Sequence, residues 1–75
     1  MADYRIKGTV MKVGARFLAS VCGVLASQPE DSVCKSSVWD TREEAVTDQD
    51  SLAALVRWDL MEEGHQMMGA PDFAK

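Results

Sequence analysis

Polar and apolar positions alternate from the start of the chain. In YRIKGTVMKV, residues 4–13, Tyr4, Ile6, Gly8 and Val10 fall on one side of an extended backbone, and Arg5, Lys7 and Thr9 on the other. Gly14-Ala15 then offers a tight turn, because glycine reaches positive φ without steric cost. A second strand is expected in RFLASVCGVL, residues 16–25, and a third in SVCKSSVW, residues 32–39. Between them ASQPED, residues 26–31, has loop composition, and its Pro29 cannot donate to a ladder.

Register follows by arithmetic. A hairpin folding about Gly14-Ala15 opposes residues that sum to 29, and one folding about Gln28 opposes residues that sum to 56. Tyr4, Ile6, Val10, Phe17, Ala19, Val21, Leu25, Val33 and Trp39 then share one face, and a one-residue slip scatters the set. Arg5, Lys7, Thr9, Met11, Leu18, Ser20, Cys22, Val24, Cys34, Ser36 and Val38 form the other face, half apolar, with Arg5, Lys7 and Lys35 at its rim. The same pairing sets Cys22 opposite Cys34. Two cysteines do not make a disulfide framework, and typical cysteine burial favours free, half-buried thiols.

After the third strand the period changes to that of a helix. Thr41 followed three residues later by Glu44 is a capping box, and Asp40 with Glu43 offers the same spacing one residue earlier. Carboxylates in a first turn also favour the positive end of the helix dipole. The crowding of Asp40, Glu43 and Glu44 beside Trp39 therefore reads as a helix start, not an acidic active site. The helix is expected from Thr41 to Glu63, with Gly64 as its stop. Ala45, Leu52, Ala53, Val56 and Leu60 make a stripe that can cover the apolar sheet face. TDQDS, residues 47–51, is rich in poor helix formers, so a kink or break is expected there if anywhere. Residues 65–75 lack periodicity and are expected to form a flexible or partner-ordered tail behind a single domain of residues 1–64. The expected fold class is α+β: a three-stranded antiparallel meander packed on one face by a long C-terminal helix.

Charge and chemistry add limits. The net charge of −4 divides unevenly. Residues 1–35 hold five basic groups against three acidic ones, and residues 36–75 hold three against nine. No apolar run approaches the roughly 20 residues that cross a bilayer, and no basic leader precedes an apolar stretch. A soluble, cytoplasmic protein is expected. His65 is the single histidine, and its spacing from Asp59 and Glu62 on a helix end makes a poor metal site. With no nucleophile–base pair in view, neither catalysis nor a cofactor or metal is expected.

What exceeds the needs of one small core is a second helical stripe, Ala54, Trp58 and Met61, together with the half-apolar back of the sheet. Trp58 can serve an interface or pack under the tail with Met67 and Met68. The expected function is protein–protein interaction through Ala54, Trp58 and Met61, with a homodimer through that stripe or the sheet back as one form. Small acidic inhibitors of host defence from phages and mobile elements, anti-CRISPR proteins among them, belong to this class. The order of three strands and a helix also resembles that of plant ethylene-response DNA-binding domains and phage integrase arm-binding domains. Those read DNA with the open sheet face. That resemblance, in element order alone, implies the alternative of nucleic-acid binding at Arg5 and Lys7.

Overall fold

The computed structural model describes residues 3–75. Three strands, β1 (Asp3–Val13), β2 (Arg16–Leu25) and β3 (Val33–Trp39), form the antiparallel hairpins expected from the pattern. Val10 pairs with Ala19 and Tyr4 with Leu25, while Phe17 pairs with Trp39, as both sums require. The helix α1 (Arg42–Glu62) crosses one face of the sheet. Tyr4, Ile6, Ala19, Val21 and Leu25 from the sheet meet Ala45, Leu52, Ala53, Val56 and Leu60 from the helix in one buried core.

Thr41 caps α1. Its Oγ1 accepts the Glu44 N–H at 3.2 Å, and its hydroxyl donates to Glu44 Oε1 at 2.9 Å. Asp40 stands outside the helix and pairs with Arg16 at 3.5 Å, an exposed contact. At the other end the Gly64 N–H donates to the Met61 carbonyl and the His65 N–H to that of Leu60, a Schellman closure with Gly64 at φ 84°.

Three expectations give way. The helix is continuous through residues 47–51, because tertiary contacts occupy the groups that would otherwise compete with its backbone. Asp48 Oδ2 accepts from the Ser37 hydroxyl at 2.6 Å and from Trp39 Nε1–H at 3.3 Å. Gln49 turns inward, 1% exposed, and holds the chain end.

The stretch after Gly64 is the second difference. It forms a fourth strand, β4 (Gln66–Met67), parallel to β1, so the sheet is mixed with order β3-β2-β1-β4. The Met68 N–H donates to the Tyr4 carbonyl at 2.7 Å, Asp72 N–H to Ile6 at 2.9 Å, and Gly8 N–H to Asp72 at 2.8 Å. Gln49 Nε2–H donates to the Ala74 carbonyl at 2.8 Å, and its Oε1 accepts the Ala74 N–H at 2.9 Å. Met67 and Phe73 pack against the core. Topology explains this course. Three strands and a returning helix bring Gly64 beside the start of β1, so the residues after it run along the free edge of β1 in its own direction.

The cysteines also differ from expectation: Cys22 and Cys34 are bridged across β2 and β3, with Cα atoms 4.1 Å apart. The register that opposes them supplies the proximity a disulfide needs.

Candidate interaction surfaces

Three surfaces gather the groups that the core leaves over. The first is the outward side of α1. Trp58 is 65% exposed, with Leu55 at 55% and Met61 at 60% beside it, and Ala54 is exposed on the same side. Positions three and four apart on a helix are neighbours, so these four residues form one patch. A shallow hollow of about 230 Å³ lies among Trp58, Met61 and Glu62. Trp58 does not pack under the tail, where Met67 takes the place against the core. Leu55 is a member that the stripe read from sequence omitted. It falls between the inward and outward faces by angle, and only the tilt of the helix on the sheet decides its side.

The second surface is the open face of the sheet. Arg5 and Lys7 are exposed there, with Met11 (55%) and Val38 (53%) farther along it. Arg5, Lys7 and Val24 wall a groove of about 550 Å³ whose far side is the tail at Met68, Gly69, Ala70 and Asp72. The disulfide lies on this face between Val24 and Ser36. Lys35 is not at its rim. Residues opposed to Val21 point to the helix, so Lys35 reaches Asp59 on α1 at 3.3 Å.

The third surface is a groove of about 390 Å³ between Trp39 and the first turns of α1, lined by Glu43, Glu44, Thr47, Asp48 and Ser51. The acids that begin the helix therefore also wall a depression. Glu44 is engaged by Thr41, and Asp48 by Ser37 and Trp39. Among the described residues no group of three or more His, Cys, Asp or Glu side chains is placed to hold a metal ion. His65 pairs with Glu63 at 3.3 Å. Among the described residues no helix is long and apolar enough to cross a membrane.

No protein-family model, curated protein sequence or solved structure matches the chain. Function has to be read from these surfaces.

Proposed function

We propose that the protein is a small, non-catalytic interaction module that binds another protein through the outward side of α1, centred on Trp58. The exposure of Trp58 in a continuous patch with Leu55 and Met61 carries this reading. Exposed apolar patches on small proteins mark contact sites, and tryptophan and methionine are enriched in the centres of interfaces. Ala54 adds a flat apolar neighbour. Small acidic inhibitors that phages and mobile elements direct at host defence complexes fit this size and charge, and they act in the cytoplasm.

The test is affinity capture from nuclease-treated lysate with Trp58→Glu alongside. A partner captured stoichiometrically by the parent chain and lost in the variant supports the reading, provided the far-UV circular dichroism is unchanged. Capture that ignores the substitution refutes it.

The groove with Arg5 and Lys7 favours a second reading, nucleic-acid binding at the edge of the open sheet. Binding there depends on neutralising phosphates, so replacing both residues by alanine should weaken it and flatten its salt dependence. Binding that is equal at low and high salt rules this reading out.

A further inference from the structure

β1 gives its free edge to the tail, and the tail does not follow it evenly. The Met68 N–H donates to the Tyr4 carbonyl and the Asp72 N–H to that of Ile6. Between those two bonds β1 advances two residues, while the tail advances four. The excess length loops out where Gly69 turns at φ 73° and Pro71 has no N–H to offer.

The detour leaves a polar group of β1 without an acceptor. In an antiparallel pair successive residues bond to opposite sides of the strand, and the Ala26 N–H donates to Asp3, so odd-numbered β1 residues bond to β2. Ile6 therefore turns its backbone groups to the tail. Its carbonyl accepts from Asp72, but among the described residues no carbonyl takes its N–H. Ile6 is 2% exposed and its side chain lies in the core on the helix side. What it gives to the groove between Arg5, Lys7 and the tail is thus backbone. An N–H so placed calls for an acceptor.

Charge says what kind of acceptor fits. Arg5 and Lys7 flank Ile6 on the open face, and among the described residues neither side chain has an ion-pair or hydrogen-bond partner. The other charge on the wall is Asp72, which its bridge to β1 sets beside Lys7. Two cations against one carboxylate leave a single positive charge. It sits at the Arg5 end, about 7 Å along the strand from Lys7. Val24, opposite Arg5, joins Met68 and Ala70 in giving the groove apolar walls.

We infer that this groove is a binding site for a small organic monoanion, a carboxylate carried on an apolar body. One carboxylate oxygen accepts the Ile6 N–H, and the Arg5 guanidinium donates to the same head group in a planar pairing that suits both. The body lies against Val24, Met68 and Ala70. The groove volume of about 550 Å³ falls within the roughly 300–1,000 Å³ of small-molecule sites. A phosphate monoester brings nearly two charges, and the excess would face Asp72. A nucleic-acid strand brings a row of phosphates, whereas the bonds of Met68 and Asp72 to β1 close this gap at both ends around one head group. The site lies across the sheet from α1, so it stands apart from the Trp58 patch and does not rest on what that patch binds.

Titrating the isotope-labelled full chain with octanoate, read by amide NMR shifts, tests this. The Ile6 amide proton should move downfield and saturate by millimolar octanoate, with Gly69 and Ala70 moving alongside and the Trp58 indole staying in place. Arg5→Gln alters an exposed side chain and should weaken binding about tenfold or more, through loss of a hydrogen bond to a charged group. Octanol keeps the body without the charge, and inorganic phosphate the charge without the body, so both should bind more weakly than octanoate. The inference is overturned if octanoate leaves the Ile6 amide unmoved, if octanol or phosphate binds as well, or if Arg5→Gln binds octanoate as the parent chain does. It is also overturned if a short oligothymidylate displaces octanoate and binds the groove more tightly, which would give the groove to nucleic acid.

Discussion

Gln49 is the place where one substitution should release a whole segment. Its side-chain amide makes three hydrogen bonds: Nε2–H to the Val46 carbonyl at 3.0 Å and to that of Ala74, and Oε1 from the Ala74 N–H. Gln49→Leu keeps the helix propensity and the volume but removes every one of these partners. At about 1 kcal/mol net per bond the direct loss is about 2–3 kcal/mol. Leaving the half-buried Ala74 backbone without partners would cost more, so the chain end should lift away instead. The bonds of Met68, Asp72 and Gly8 to their strand partners would then open with it, and Phe73 would leave the core. For a chain of this size about 2–3 kcal/mol lowers the melting temperature by roughly 10–20 °C. Thermal denaturation measures the loss, and amide exchange locates it. The Gly8 and Asp72 amides should become fast, while Arg5 and Lys7, bonded to β2, stay slow. A lowered melting temperature with Gly8 and Asp72 still protected would show that Gln49 supports the core and does not latch the tail. An unchanged melting temperature would refute both roles.

Other substitutions probe neighbouring contacts. Gly23→Ala puts a Cβ 2.5 Å from Leu60 Cδ1 and 2.8 Å from Val56 Cγ1, so the helix must shift, and denaturant melts should show a loss of about 1–3 kcal/mol. Reducing the Cys22–Cys34 bridge frees a loop of sequence separation 12, and a loss of about 3 kcal/mol is expected between guanidinium melts with and without excess thiol. Equal midpoints would contradict that. Lys35→Ala breaks an ion pair whose two side chains are 42% and 43% exposed, so its melt should move by no more than about 0.5 kcal/mol.

The hairpins were legible because the two turns and the single apolar face agree on one register, and each checks the other. The cap was legible for a similar reason: Thr41 and Glu44 are a local pattern with a local cause. What escaped was the set of contacts made between distant segments. TDQDS reads as a weak helix when its residues are taken alone. The hydrogen bonds of Asp48 to β3 and of Gln49 to the chain end are set by where α1 lies. The tail escaped because β4 is two residues long and Asp72 makes a second, separate contact with β1, too little for alternation to show. The order of elements held a clue, since a helix ending beside β1 directs the residues after Gly64 along its edge. Pairing of the cysteines was within reach of the register, and general cysteine burial pulled the expectation the other way.

Trp58 faces outward for a reason found on the opposite side of the helix. α1 rests close to the sheet because the contact positions are small. Ala45 and Ala53 face inward from the helix, and beneath them Gly23 leaves room for Leu60 and Val56 while Gly8 leaves room for Gln49 and Phe73. A close approach of this kind fills the interior with Tyr4, Val21, Leu52, Val56 and Leu60, and leaves no volume for an indole. Turning the helix to bury Trp58 would drive it against the glycine-lined floor and bring Gln49 away from Ala74. The rotation of the helix is thus pinned by Gln49 and by the hydrogen bond of Asp48 with Ser37. A helix pinned this way cannot hide Leu55, Trp58 and Met61, so whatever covers them has to come from outside the fold.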